Sequence, residues 1–327
     1  MRDSETQPVH SRTDPVGEGP WLKKGVVQHS AGASGAVDIE ALMIKPEFPR
    51  SSGYDVAWML ANQMGPNALW LMEWLCESIT LKPGMRVLDL GCGKGMTSIF
   101  LAREFGVHVW ATDLWIGPDN NWLRAKEAGV HRDVYPLRCE AHALPFASGF
   151  FDAVVSVDAY PYLGTNDLYL NYLAGFVRPG GAIGVVVPGL TRPLDQGVPT
   201  HLLEPQQHGK AFWQDDCACF HTADWWRERW AHMRAVSGVT TDMLPDGWRH
   251  WRDFDRALEL AGKNLFPSDA EALERDQGQT IGFVRVRCDR TTHAVMNLND
   301  PTIGVRVGID TFDGGPMTTA YAAPLSV

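Results

Sequence analysis

Three glycines at alternate positions, Gly91, Gly93 and Gly95, follow directly on the run Val87-Leu88-Asp89-Leu90. Glycines so spaced let a chain turn sharply at a strand end and let its backbone approach a ligand with no Cβ between them. A helix-like run over 96–105 comes next, so the turn opens onto a helix N-terminus. A second apolar run ends in an acid, Val109-Trp110-Ala111-Thr112-Asp113, at about the separation that brings a carboxylate from the next strand to a ribose. A nicotinamide-binding turn would place its third glycine at relative position 6, where close helix–strand packing needs it. Here Met96 occupies that position.

Two more segments continue the series: Glu140-Ala141-His142-Ala143-Leu144-Pro145-Phe146, and Phe151-Asp152-Ala153-Val154-Val155-Ser156-Val157-Asp158. In this order and spacing, the four motifs resemble those of class I S-adenosylmethionine (SAM) dependent methyltransferases, in particular bacterial ones acting on small molecules. The resemblance covers roughly residues 50–288. It implies an α/β, Rossmann-like fold with a seven-stranded, mostly parallel sheet and helices on both faces.

The resemblance also implies a cofactor site. The backbone of Gly91, Cys92 and Gly93 would lie under the methionine and ribose of SAM, with Asp89 ordering the turn or reaching the amino group. Asp113 would accept from the ribose hydroxyls, since an ionised carboxylate offers only acceptors. Leu114 or Trp115 would cover the adenine, while Glu140 and the Ala141 N–H would meet its edge. Arg50, Tyr54 and Met64 precede the first sheet strand, in a segment that such enzymes fold over SAM.

The chemistry implied is in-line displacement at a sulfonium, with S-adenosylhomocysteine as product. It asks the protein to position a nucleophile and, where needed, to take its proton. Open α/β sheets bind ligands at the C-terminal ends of their strands. That rule points to Asp158, Tyr160 and Tyr162. Asp158 would orient the acceptor or bind the SAM amino group; Tyr160 would line the acceptor pocket or serve as packing. His142 is a proton acceptor or a plain adenine-loop residue. Neither the carbon, nitrogen or oxygen nature of the acceptor nor its identity is written in the motifs. A high aromatic load favours an aromatic, heterocyclic or lipid-like molecule. Two other readings stay open: a SAM-binding protein that transfers nothing, and a nicotinamide oxidoreductase.

Bulk properties narrow the partners. The 327 residues carry a formal charge of −10, which argues against a phosphate backbone as substrate. No apolar run reaches a membrane span, and the N-terminus lacks the layout of a secretion signal. The six cysteines lack a framework spacing, so reduced thiols in a cytoplasm are expected. Cys217-Ala218-Cys219-Phe220-His221 lacks the partners of a zinc site, and no metal is expected. Homodimerisation is compatible with the chain but not specified by it.

Residues 1–36, polar and rich in Gly, Ser and Pro, read as a flexible lead. The methyltransferase unit is expected over 37–289, with 188–243 as a substrate-side insertion, and 290–327 as an extension of unknown role. Helices are expected over 55–62, from Pro66 onward, and over 167–177, 222–233 and 246–261. Strands are expected over 86–90, 107–112, 134–137, 153–157, 182–187, 236–243 and 281–287, the last antiparallel to the fifth.

Overall fold

The computed structural model describes residues 38–295 except Asp167, so the expectations for 1–36 and for most of 290–327 fall outside the described residues. In chain order the elements are α1 (Ile39–Met43), α2 (Val56–Asn62), α3 (Ala68–Glu77), β1 (Arg86–Leu90), α4 (Met96–Phe105), β2 (His108–Asp113), α5 (Pro118–Glu127), β3 (Val134–Arg138) and β4 (Phe151–Val157). There follow α6 (Pro161–Gly164), α7 (Tyr169–Ala174), β5 (Val177–Leu190), α8 (Thr200–Leu203), α9 (Ala223–Ala231), β6 (Val236–Met243), α10 (Gly247–Ala261), α11 (Ala270–Asp276) and β7 (Ile281–Arg290).

The seven strands form one sheet in the order β3-β2-β1-β4-β5-β7-β6. The first five strands run parallel, and β7 is antiparallel to both β5 and β6. Val87 faces Val109 on one side and Ala153 on the other, and Val185 faces Val286. Successive side chains alternate between two apolar layers, as the pleat requires. Val87, Val109, Ala153 and Val155 join α3, α4 and α10 in one layer. Leu88, Leu90, Val154 and Val185 join α7 and α9 in the other. Helices on both faces explain why these strands read as continuous apolar runs.

Two boundaries differ from expectation. The Arg178-Pro179-Gly180-Gly181 stretch, expected to end a helix over 167–177, belongs to β5, and α7 ends at Ala174. The register between β4 and β5 shifts at Phe151–Ala153, and a Cβ on Gly181 would lie 2.6 Å from the Asp152 carbonyl oxygen. Arg178 donates to Asp152 across this irregularity, so the Pro-Gly-Gly run is a bulge that lets two backbones close up. Pro66, expected in the first turn of α3, lies ahead of it. Asn67 is the N-cap, its side chain accepting from the Leu69 and Trp70 N–H groups. Helices α1, α5, α6, α8 and α11 had no counterpart in the sequence reading.

The insertion after β5 is tied to the last strand through a buried acid. Asp276, fully buried at the end of α11, accepts from the Thr280 and Ile281 N–H groups at 3.0 and 2.9 Å. His201 of α8 meets the same carboxylate at 2.9 Å. Replacing Asp276 with Ala orphans two buried N–H groups and frees His201. The expected loss is about 3 kcal/mol of unfolding free energy, measured by urea denaturation. A loss below about 1 kcal/mol would show that this anchor is not needed.

Candidate active site

The site grows from the turn between β1 and α4. Gly91, Gly93 and Gly95 all have positive φ, at 73°, 54° and 78°. At two of them the space is also closed: a Cβ on Gly91 would collide with the Ala159 Cβ, and one on Gly93 would lie 3.1 Å from Met64 Cγ. Met64, expected over the cofactor, therefore sits directly on the turn. Beneath it, Asp89 is buried and accepts from Thr97 Oγ1 and Ser98 Oγ, both at 2.6 Å. Burial raises its carboxyl to about 6 against the pull of these two hydroxyls. Asp89 thus orders the first turn of α4.

Asp113, at the end of β2, holds the other side. Its Oδ2 accepts from the Gly93 N–H at 2.9 Å, and its Oδ1 from the Trp115 and Ile116 N–H groups at 2.8 Å. A carboxylate has about four acceptor positions, so capacity for a ribose hydroxyl remains. Three residues absent from the sequence reading brace this turn. Asn121 Nδ2 donates to the Gly93 carbonyl at 2.8 Å, and Arg124 bonds both Asn121 Oδ1 and Asn62 Oδ1. The chain from α2 to α5 thereby closes around Gly93. Only Pro118 signalled α5, whose buried face is reduced to Asn121 and Ala125. No apolar period marks such a helix.

Next to Asp113, Leu114 and Trp115 are exposed, Trp115 by 76%, leaving both rims available to a flat ring. Beyond β3, Glu140 accepts from the His142 N–H and pairs with His142 Nδ1, both at 2.8 Å. The His142 ring meets Tyr169 edge-on at 4.9 Å, and Tyr169 donates to the Ala141 carbonyl. His142 is thus held with Glu140 and Ala141 at the adenine-side loop. None of these contacts reaches Asp158.

Asp158 and Tyr162 follow the end of β4. Asp158 adopts a left-handed backbone, φ 60°, unusual for a residue with a side chain. Its Oδ2 lies where a Cβ on Gly65 would come within 2.5 Å, so Gly65 makes room for it. Burial pushes the carboxyl up to about 7. The Tyr162 ring is largely exposed, yet partial burial, with smaller contributions from Asp158, Cys219, Asp216 and Cys217, holds its hydroxyl protonated. The insertion thus approaches Asp158 through the 216–219 segment.

Tyr160 is a correction. It is fully buried in the second layer, against Tyr169, Trp226 and Trp230, and its ring occupies the space a Cβ on Gly164 would need. The turn at Asp158 sends it into the core rather than to the surface. Arg50 is likewise spent elsewhere. It pairs with Glu104 at 3.2 Å and covers Phe105, while Tyr54 donates to the same glutamate. Cys217 and Cys219 bond neighbouring carbonyls, and among the described residues no group of three or more His, Cys, Asp or Glu is placed to hold a metal.

These residues fit SAM: a backbone cradle closed to any Cβ, a carboxylate with spare acceptor capacity, and an adenine-side acid. Comparison with known proteins agrees. A family model described as a methyltransferase domain matches residues 87–181. The 2-methyl-6-phytyl-1,4-hydroquinone methyltransferase of Synechocystis sp. (strain ATCC 27184 / PCC 6803 / Kazusa) is 37% identical over 127 residues, 38% of each chain. The ubiquinone biosynthesis O-methyltransferase of Erwinia tasmaniensis is 32% identical over 131 residues, 38% of this chain and 53% of that one. The chain thus spans about two-fifths to half the length of these relatives. Geranyl diphosphate C-methyltransferase from Streptomyces coelicolor A3(2), solved with Mg2+, geranyl diphosphate and S-adenosyl-L-homocysteine, shares the fold. Its TM-score is 0.51 and its identity 18%, covering 67% of this chain and 76% of that one.

Asp113→Ala removes the acceptor of three backbone N–H groups as well as the ribose partner. Calorimetry should show SAM and S-adenosylhomocysteine binding weakened about 100-fold or more. Gly91→Ala, which drives a methyl group into Ala159, should abolish binding in the same titration. Wild-type affinity in either variant would place the cofactor elsewhere. Motifs, sheet order and turn geometry agree with the match of residues 87–181 to a methyltransferase domain and with the SAM-dependent class I fold of the solved neighbours.

Proposed function

We propose that the chain transfers the methyl group of SAM to a small molecule whose nucleophile is oriented by Asp158. One observation supports this most. The Asp158 carboxyl sits half-buried just past the C-terminal end of β4, in a left-handed backbone, and burial alone shifts it, with no hydrogen-bond or ion-pair partner of its own among the described residues. Asp89 and Asp276, also buried, are fully engaged by their surroundings. An unpaired acid in such a place is costly unless a ligand partners it. The sulfonium loses its charge as the methyl moves, so protein groups contribute by alignment and proton removal. Ionised Asp158 would accept the proton of an O–H or N–H nucleophile.

The surroundings favour an uncharged, largely aromatic, heterocyclic or lipid-like acceptor. The charged groups that act on Tyr162 are the acids Asp158 and Asp216, which disfavours a phosphorylated molecule. In the insertion, Phe220 meets both the buried Phe212 and the partly buried Trp213. The names of the two curated relatives, both acting in quinone chemistry, lend support. In this reading residues 37–289 act as one catalytic unit, 188–243 covers the acceptor, and nucleic acid is not a substrate. A cytoplasmic setting suits free thiols, and no described helix is long and apolar enough to cross a membrane. A homodimer is compatible with this reading.

A panel of phenols, quinols, heterocyclic amines and phosphorylated alcohols, assayed for S-adenosylhomocysteine, tests the proposal. Turnover should appear with uncharged aromatic acceptors. Tight SAM binding without product across the whole panel would favour a non-catalytic SAM protein. Asp158→Asn should lower kcat about 100-fold or more while leaving SAM affinity nearly unchanged. A base must be ionised, so wild-type kcat/KM should rise with pH through about 7 and level off above it. A large loss of SAM affinity in Asp158→Asn would instead assign this carboxylate to the SAM amino group.

A further inference from the structure

The loop after β3 is held from within by two tyrosines of α7. The Cys139 N–H donates to the Asp113 carbonyl, and a turn follows in which the Ala143 N–H donates to the Glu140 carbonyl at 3.0 Å. Behind this turn, Tyr169 donates to the Ala141 carbonyl at 3.1 Å, and Tyr172 accepts from the Leu144 N–H at 2.7 Å. The two tyrosines stand at i and i+3 on one helix face, so both reach the same stretch of chain. Both are buried, and burial keeps both hydroxyls protonated. One hydroxyl takes a carbonyl and the other an N–H, which fixes the loop at two points.

The outward side of the same turn is open. Glu140, His142 and Ala143 are exposed, and the Ala141 N–H has no acceptor among the described residues. Glu140 is oriented by His142, whose N–H and Nδ1 hold its two carboxylate oxygens and whose ring rests against Tyr169 at 4.9 Å. We propose that Tyr169 and Tyr172 are positioning residues for recognition of the cofactor's base. Acting through the loop, they aim the Ala141 N–H and the Glu140 carboxylate at its edge. This rests on the reading in which Glu140 and Ala141 meet the adenine of SAM. A carboxylate beside an N–H donor matches adenine, which presents an amino group beside a bare ring nitrogen. The deaminated base presents the reverse, a carbonyl beside a ring N–H. Telling the two apart needs both loop groups in place, whereas contacts to the methionine and ribose need neither.

Calorimetric titration of the full chain with S-adenosylhomocysteine and with S-inosylhomocysteine, its deaminated analogue, tests this. The wild type should prefer the adenine compound by about 100-fold or more, since a mismatched edge leaves polar groups unpaired. Tyr169→Phe and Tyr172→Phe should each cut that ratio about tenfold, mostly by weakening S-adenosylhomocysteine. Tyr160→Phe is the control. Tyr160 lies in the same layer, 5.8 Å from Tyr169, and its hydroxyl has no partner among the described residues, so the wild-type ratio should persist. Full discrimination retained in both α7 variants, or an equal loss in Tyr160→Phe, would overturn the role of the tyrosines alone. A wild type that binds both compounds equally, or neither, would overturn the adenine reading of Glu140 and Ala141 and this inference with it.

Discussion

The close approach of the β1 turn to the β4 turn is the contact on which the site depends. Strands β1 and β4 are neighbours in the sheet although far apart in sequence, because the strand order reverses between them. Such a reversal leaves a crevice at the strand ends. Gly91 and Ala159 close its floor, with no room for a second methyl group between them. The β1 turn with Asp89, Gly93 and Asp113, proposed to hold the cofactor, and Asp158, proposed to orient the acceptor, are thereby held in one geometry. Proximity of donor and nucleophile is a large share of what methyl transfer needs from a protein.

Burial alone does not distinguish structural acids from functional ones here; partners do. Burial raises Asp89 to about 6, yet two hydroxyls satisfy it, and it shapes the entry to α4. Asp113 is a shared case. It first organises the turn, through three N–H groups, and has acceptor capacity left over. Asp158 has the burial without the partners. The same three-way comparison disposes of Tyr160, whose neighbours are rings and whose place is the core.

The turn, the four motifs and every strand of the sheet were legible because each leaves a local mark: alternate glycines, a terminal acid, or an apolar run closed by polar residues. The antiparallel last strand followed from the family likeness, and β7 pairs with β5 as expected. What was not legible depends on distant neighbours. Arg178-Pro179-Gly180-Gly181 carries ordinary stop signals, and only the approach of Asp152 makes it a bulge. Helix α5 is polar nearly all round, so its role in bracing Gly93 through Asn121 has no periodic signature. Tyr160 and Tyr162 stand two residues apart and look equivalent in sequence. The left-handed turn at Asp158 and the short α6 that follows send one into the core and leave the other at the surface.

The tryptophans divide in the same way, and the division bears on the acceptor. Trp226 and Trp230 recur at helical spacing and are consumed by the core under β4 and β5. Trp251 belongs to the opposite layer and stacks on Phe283 while meeting Phe212. It is therefore a bridge from the sheet to the insertion rather than a free wall. Trp213 and Phe220, only partly buried, remain as the aromatic surface on the insertion itself. Because α8 is pinned to the base of β7 through His201 and Asp276, that surface rests on the sheet and not on a free loop. Under the proposed function, discrimination among acceptors would fall to this anchored aromatic surface, with the Asp158 carboxylate as the polar element that orients the nucleophile.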